Sequence, residues 1–406
     1  WGLLLGSIVL SWLASVISPQ NWLNTLKNQG SWIALALVAS LLTPYVAAAA
    51  NHLWEPMAWV TFMCTQGTLN VLQYQTVAVP EHLILGTSSF LVEIQGGCSG
   101  YEGIGLVTVF VSLYLWLRRR DLDFPRCFLL FLLAWAMAWT ANIARLVILI
   151  LLGTHVSRDV AQRGFHSQAG WIAFTGICLI LLWLTERNRV FCRTPQVDEP
   201  DLEYPAAPFL VPQMAAMFLL MIGLAFSDKI DVFYPLRTLL VAATLVYFGP
   251  RLLAHFPRPT YRGVVAGLLV YAIWSALVSG KGGVDPFVIL NTGWAWGWLI
   301  ARVIGASLVV PLTEELAFRG YLMRRLESRN FEEVKWEHVS WKSIALSSLF
   351  FGALHQDILA GVLAGFVYGW VATRRGRLTD AVLAHGITNG CLAGQAIVWG
   401  HWGHLT

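Results

Sequence analysis

The sequence has few charged residues. Asp, Glu, Lys and Arg make up 12% of its 406 positions, against about 25% in an ordinary soluble domain. Hydrophobic residues make up 57%, and this composition excludes a soluble globular class. The formal net charge is +4, and the basic residues are distributed among the loops, so no nucleic-acid partner is expected.

Cysteine is also scarce, with six residues in the chain. No two of them have the spacing of a metal-binding pair such as CxxC, so neither a metal site nor a cofactor is expected from them. Most lie in apolar stretches, where a cysteine is usually a small buried hydrophobe. Cys98 differs, because the run 94–100 places small and polar residues on both sides of it. Glycines add no steric wall, so we expect this thiol to be accessible.

Long hydrophobic runs take the place of charge. About 12 to 13 segments approach or exceed the length that crosses a hydrocarbon core about 30 Å thick. They predict an all-α polytopic integral membrane protein, and its 20 tryptophans fit aromatic belts at the two interfaces. The chain begins at Trp1 rather than Met, so we expect the true N-terminus to be missing. The predicted segments are 1–17, 31–50, 57–74, 101–117, 127–151, 168–185, 208–227, 235–250, 263–279, 292–325, 341–356, 358–373 and 379–398.

The longest polar stretch divides the chain into two predicted helix bundles. Residues 188–207 contain several prolines, which break helices, and are interpreted as a cytoplasmic linker. The first domain is predicted at 1–187 and the second at 208–400. Arginine and lysine clusters assign alternate loops to the cytoplasm, and the short pair 341–373 is expected to form a hairpin that does not fully span. A small extracytoplasmic stretch, 76–94, has strand character at 76–79 and 90–94, on either side of a predicted turn at Gly86, and leads directly into Cys98.

Two further residues are predicted to share the extracytoplasmic side with Cys98. Arg145 lies toward the outer end of segment 127–151, and His166 lies where the next segment begins. His can deprotonate a thiol, and Arg can donate hydrogen bonds to a developing oxyanion. Each residue has an ordinary alternative: a structural cysteine, a helix-capping histidine, and an arginine that extends to the lipid headgroups. Only the catalytic interpretation requires all three on one side of the membrane.

At these residues the first half resembles the exosortase/archaeosortase family. Members of that family carry a cysteine in a GCSG-like setting, an arginine in an NxxR-like helix and a later histidine, and the resemblance covers roughly residues 1–187. It implies a membrane transpeptidase or protease with Cys98, Arg145 and His166 as its catalytic residues. The implied protein partners carry a C-terminal sorting tail, composed of a short motif, a transmembrane segment and a basic end.

The second half has a separate set of polar residues within apolar segments. Positions i and i+4 of a helix share a face, which pairs Glu315 with Arg319 and His385 with Asn389. Helix rise of about 1.5 Å per residue places the whole set inside the membrane, nearer the cytoplasmic side. The set consists of Glu314, Glu315, Arg319, His355, His385 and Asn389.

The chemistry that this set suggests is activation of a water molecule. Glu314 can act as general base with His355 orienting the water, while His385 and Asn389 hydrogen-bond the oxyanion. A zinc ion held by Glu314, His355 and His385 is a minor alternative, although the HExxH signature is absent. The rival class is a non-enzymatic membrane transporter, in which the buried Glu, His and Arg side chains relay protons.

The patterns EExxxR, FxxxH and HxxxN, in this order, resemble the type II CAAX prenyl endopeptidase and bacteriocin-processing (CPBP) membrane protease family over roughly residues 208–400. The resemblance implies that Glu314 and His355 activate water, that His385 and Asn389 hold the oxyanion, and that Glu315 and Arg319 support them. The two halves together resemble the exosortase E/protease fusions of Gram-negative bacteria.

That combined resemblance implies a multi-pass protein of the bacterial inner membrane. The Cys98 site would cleave VPEID/PEP-CTERM-like C-terminal sorting signals on the outer face. The Glu314 site would lie within the membrane, toward the cytoplasm. The expected partners are tail-bearing proteins and the lipid bilayer.

Overall fold

The computed structural model describes residues 56–95, 98–188, 190–191, 204–253, 256–280, 282–374 and 376–405. Within these ranges the chain is mainly helical, which confirms the all-α polytopic membrane class. Three predicted parts of the chain lie outside the described residues. They are segments 1–17 and 31–50 and most of the linker 188–207, which contains Cys192.

Eleven main helices lie in the described ranges, and each coincides with a predicted hydrophobic segment. Two short helices lie at Phe124–Cys127 and Pro286–Ile289, and a π-helical turn lies at Val160–Phe165. Single 3-10 turns occur at Pro80–His82, Phe331–Glu333, Trp336–His338 and Trp402–His404. The main helices are α1 (56–71), α2 (Tyr101–Leu117), α3 (Leu129–His155), α4 (His166–Arg187), α5 (Ala207–Ala225), α6 (Tyr234–Leu252), α7 (Tyr261–Leu277), α8 (Thr292–Arg325), α9 (Trp341–Ala353), α10 (Ile358–Thr373) and α11 (Leu378–Trp399).

Within the part of the chain that the structure describes, five helical stretches are long and apolar enough to cross a membrane. They are α3 with its preceding turn, α4 with its π turn, α5, α8 and α11. The hairpin helices α9 and α10 have 13 and 16 residues, or about 20 and 24 Å at 1.5 Å per residue. Both are shorter than a hydrocarbon core of about 30 Å, as expected for a hairpin that does not fully span.

The predicted strand region forms a three-stranded antiparallel sheet in the order β1-β2-β3. Its strands are β1 (Val77–Val79), β2 (Ile84–Gly86) and β3 (Leu91–Glu93), with Val77 opposite Gly86 and Gly86 opposite Leu91. The turn expected at Gly86 is wrong, because Gly86 lies at the end of the middle strand β2. A Cβ atom at this position would clash with the carbonyl oxygen of Phe90.

The first helix bundle packs α2, α3 and α4 around rows of small and branched side chains. Val107, Val111 and Leu115 of α2 recur every fourth residue, so they share one face of the helix. They pack against Ala134 and Ala138 of α3 and against buried residues of α4. Exposed apolar side chains cover the opposite faces, as expected where a helix meets lipid.

The second bundle is built around the contact between α7 and α11, which is close because α7 presents glycines. A Cβ atom at Gly267 would lie 2.6 Å from the carbonyl oxygen of Ala384, and one at Gly263 would lie 2.8 Å from that of Asp380. Small residues four apart allow membrane helices to approach closely. This contact fixes α11, which carries His385 and Asn389, against the rest of the bundle.

The two bundles touch where the π turn before α4 meets the end of α5. Gly164 packs against the carbonyl oxygens of Leu224 and Ala225, where a Cβ atom would come within 2.7 and 2.8 Å. The rings of Phe165 and Phe226 are 5.7 Å apart. The predicted domain boundaries at 187 and 208 stay a prediction.

Candidate active sites

The backbone around Cys98 is fixed by hydrogen bonds from two helices. The Cys98 amide donates to the carbonyl of Gln95 at 2.9 Å. Asn142 of α3 donates from Nδ2 to the Cys98 carbonyl at 2.7 Å. The Thr61 hydroxyl of α1 donates to the carbonyl of Ser99 at 3.0 Å. These bonds position the thiol at the start of α2, where Gly100 adopts a left-handed φ of 96°.

The three residues predicted for the first site line one cavity of about 390 Å³ between α2, α3 and α4. Cys98 comes from the turn before α2, Arg145 from α3 and His166 from the first position of α4. Arg145 donates from one terminal nitrogen to the His166 carbonyl at 2.8 Å, and the same nitrogen lies 3.4 Å from His166 Nδ1. The guanidinium is therefore held at the histidine.

Cys98 is only 7% exposed. The expectation that its flanking glycines leave the thiol openly accessible is therefore wrong. The residue borders the cavity, and side chains of α3 pack beside it. Burial raises the pKa of Cys98, Arg145 acts to lower it, and Glu102 acts to raise it. Since burial is the largest effect, the thiol is protonated at neutral pH and needs a neighbouring base to become a nucleophile.

The second site is carried by α8, which is interrupted on both sides of its glutamates by π-helical stretches at Gly305–Val309 and Leu316–Leu322. Such stretches are frequent at functional sites. Arg319 donates to Glu315 Oε1 at 3.1 Å and to the carbonyl oxygen of Gly365 at 2.9 Å. Both side chains are almost fully buried, at 1% and 0% exposure.

The two adjacent glutamates have different surroundings. His385 Nδ1 lies 3.0 Å from Glu315 Oε1, and its Nε2 lies 4.0 Å from Glu314 Oε2. Glu314 borders a cavity of about 350 Å³, together with three other predicted residues, whereas Glu315 and Arg319 lie behind its wall. The three others are His355, His385 and Asn389.

The hydrogen bond of His355 identifies its tautomer. Its Nδ1 lies 2.8 Å from the carbonyl oxygen of Phe351, which can only accept, so Nδ1 carries the proton. In the neutral ring the other nitrogen, Nε2, then carries a lone pair that can accept a hydrogen bond. Asn389 donates from Nδ2 to the carbonyl oxygen of Ala306 at 2.9 Å. One N–H of this amide remains for another acceptor.

Residues 29–184 match the family model of transmembrane exosortases (Exosortase_EpsH), and residues 295–391 match that of type II CAAX prenyl endopeptidase, Rce1-like. The two matches agree with the resemblance stated for each half, and they define an exosortase half and an Rce1-like half of the chain. Both families are membrane proteases, and the matches support a membrane peptidase. Comparison with curated proteins and with solved structures gives no match.

In the exosortase half, sequence reasoning missed Asn142 and Thr61, which fix the backbone on either side of the thiol. Trp139 also donates from its indole to the Thr61 hydroxyl at 3.0 Å. A signal for Asn142 was present, because it precedes Arg145 by three residues and so lies on the same helix face. Thr61 gave none, since its role depends on a contact between α1 and the chain after Cys98.

In the Rce1-like half, the missed residues are Tyr368 and His404. The Tyr368 ring stacks on His385 with centroids 4.9 Å apart, and its hydroxyl donates to Thr388 at 2.9 Å. His404 lines the Glu314 cavity from the turn after α11. Among the described residues, no group of three His, Cys, Asp or Glu side chains is arranged to hold a metal ion, which leaves the zinc alternative without a ligand set there.

Proposed function

We propose that the chain is a bacterial inner-membrane peptidase with two active sites, one in each half. The observation that carries the proposal is that the residues predicted to be catalytic in each half line a cavity of their own. The exosortase half cleaves C-terminal sorting tails of the VPEID/PEP-CTERM type at the outer face of the membrane. The Rce1-like half cleaves peptide bonds within the membrane, nearer the cytoplasm, and its substrate includes the residual tail.

Cys98 is the nucleophile of the exosortase half. His166 accepts the thiol proton, and Sγ attacks the scissile carbonyl carbon, forming a thioester as the C–N bond breaks. The leaving amine takes the proton from His166. An amine or a water molecule then resolves the thioester, giving transpeptidation or hydrolysis. Arg145 stabilises the oxyanion, and its Nε atom is buried with no hydrogen-bond partner among the described residues.

The exosortase proposal is tested with a tagged sorting-tail protein expressed in cells together with the full chain. Cys98→Ala should abolish release of the tail, and Glu314→Gln should leave release intact. Cys178→Ala is the matched control, because Cys178 is a buried cysteine of α4 outside the cavity. The proposal fails if Cys98→Ala, at equal expression, processes the substrate as well as wild type does.

Glu314 is the general base of the Rce1-like half. It removes a proton from a water molecule that the free Nε2 atom of His355 orients, and the water oxygen attacks the scissile carbonyl carbon. Glu315 accepts a hydrogen bond from Nδ1 of His385, which fixes the ring so that Nε2 faces the cavity. When both ring nitrogens of His385 are protonated, Nε2 also donates a hydrogen bond. This N–H and the remaining N–H of Asn389 stabilise the oxyanion. The amine leaves with a proton returned by Glu314.

This half is tested in proteoliposomes by mass spectrometry of the residual tail peptide. Glu314→Gln should abolish its further cleavage, whereas Asp357→Asn, an exposed carboxylate at the rim of the same cavity, should retain it. The transporter alternative predicts the opposite pattern, with no cleavage by wild type and proton flux that Glu314→Gln removes. A pH-sensitive dye inside the vesicles measures that flux.

A further inference from the structure

A second cavity of about 290 Å³ adjoins the Glu314 cavity in the Rce1-like half. It lies between α5, α6 and α8, and Arg302, Val310, Glu314 and Leu354 border both spaces. A chain that enters the second cavity would therefore reach the carboxylate that we propose as general base. Two arginines, Arg237 of α6 and Arg302 of α8, line it.

The two guanidinium groups are gathered around one buried ring. Their carbon atoms lie 4.6 and 4.3 Å from the centre of the Tyr234 ring, within the range of a cation–π contact. Gly305 allows this arrangement, because a Cβ atom there would lie 2.5 Å from the Tyr234 hydroxyl. Two arginines placed in apolar helices are costly and indicate a function.

The charge of the pair is only partly balanced. Asp231 contacts Arg237 at 3.2 Å, and Arg302 donates from Nε to the carbonyl oxygen of Leu405, which is neutral. One terminal nitrogen of Arg237, Nη1, is buried with no hydrogen-bond partner among the described residues. Burial raises the pKa of Asp231, against the effect of both arginines. Among the described residues Arg302 has no carboxylate partner within ion-pair distance, so one positive charge of the pair is left to bind an anion.

We propose that Arg237 and Arg302 form a carboxylate-binding site that anchors peptide substrates of the Rce1-like half. The inference rests on the proposed function of Glu314, and it deepens that function by adding a requirement for an acidic group in the substrate. Guanidinium groups bind carboxylates in a bidentate fashion, which fixes both position and direction. The carboxylate belongs to an acidic side chain or to a chain terminus.

The helix sets the distance between the anchor and the scissile bond. Arg302 precedes Glu314 by twelve residues on α8, or about 18 Å at 1.5 Å per residue. An extended peptide covers about 3.3 Å per residue, so this separation corresponds to about five residues, and to fewer once the arginine side chain extends toward Glu314. The anchored carboxylate therefore lies a few residues from the bond that is cleaved.

Peptide binding to the full-length Cys98→Ala/Glu314→Gln protein in detergent tests the site without any catalysis. The probes are fluorescein-labelled apolar octapeptides that differ only in a free C-terminal carboxylate, a C-terminal amide, or an amide with one internal glutamate. Fluorescence anisotropy should show tighter binding of at least one carboxylate peptide than of the plain amide. The peptide that binds identifies the source of the carboxylate.

In that background, Arg302→Gln should weaken binding of the preferred peptide by about tenfold to a hundredfold, as expected for a hydrogen bond between charged groups. Asp231→Asn should strengthen it severalfold, because it removes the competing carboxylate, an effect that a merely structural role would not produce. Arg374→Gln, an exposed arginine elsewhere, is the control. The proposal is overturned if all three peptides bind equally, or if the Asp231→Asn variant binds the preferred peptide more weakly. Neither outcome affects the cleavage test of Glu314.

Discussion

Neutralising one partner of the buried Glu315–Arg319 pair should destabilise the protein strongly. The two side chains are 0% and 1% exposed, and their charged atoms are 3.1 Å apart. Removing one leaves an uncompensated charge inside the bundle, which costs about 3–5 kcal/mol. We expect this loss in the free energy of unfolding for Glu315→Gln and for Arg319→Met separately. The double variant should lose no more than either single variant, because it leaves no uncompensated charge.

The assay is denaturation of the full-length protein in mixed micelles by sodium dodecyl sulfate, followed by circular dichroism. The exposed pair Arg118–Asp121 is the matched control, since its atoms are 3.2 Å apart but its side chains are 35% and 55% exposed. Asp121→Asn should cost less than about 1 kcal/mol. The argument from burial would be refuted if the two pairs lost equal amounts of unfolding free energy. It would also be refuted if the losses of the two single variants added up in the double variant.

Three further predictions concern the exosortase half and the helix contacts. The rate of Cys98 alkylation should keep rising above pH 9.0, the ordinary thiol pKa, because burial raises the pKa of Cys98 and only the thiolate reacts. Arg145→Gln should move the midpoint of this pH profile higher still, because Arg145 acts to lower that pKa. An unchanged pH profile would contradict this. Asn142→Ala leaves a buried carbonyl unpaired at about 1–3 kcal/mol, so tail cleavage should fall about tenfold or more in the cell assay without loss of expression. Gly267→Ala should lower the thermal midpoint, because its Cβ atom would lie 2.6 Å from a carbonyl oxygen of α11. Gly297→Ala is the control, because open space surrounds this glycine of α8, and it should raise the midpoint slightly.

The helices could be predicted from the sequence because the bilayer imposes one length scale on every apolar run. Segment 292–325 shows both the strength and the limit of this argument. Its extent matches α8, but its two π-helical stretches have no signature in hydropathy. The middle strand β2 was likewise missed, since Ile84–Gly86 has only three residues and pairs through its backbone.

The residues of the candidate sites could be chosen from the sequence because ionisable side chains are expensive in apolar helices. His385 and Asn389 were paired by helix periodicity alone, and the structure places both at the Glu314 cavity. The burial of Cys98 could not be anticipated, because the neighbouring glycines do not indicate how closely α3 approaches. Contacts between distant helices decide that, and periodicity within one helix carries no information about them.

The π-helical stretches that flank Glu314 make the Rce1-like half sensitive to changes in chain length. A π-helical stretch corresponds to one residue inserted into an α-helix, and each residue turns the helix by about 100°. Deleting one residue from Gly305–Val309 would allow a regular helix to form, with every backbone hydrogen bond retained. The glutamates would nevertheless face away from the side on which Arg302 lies. Among homologous chains, length should therefore be conserved in this helix even where side chains vary, and a shortened copy should be inactive.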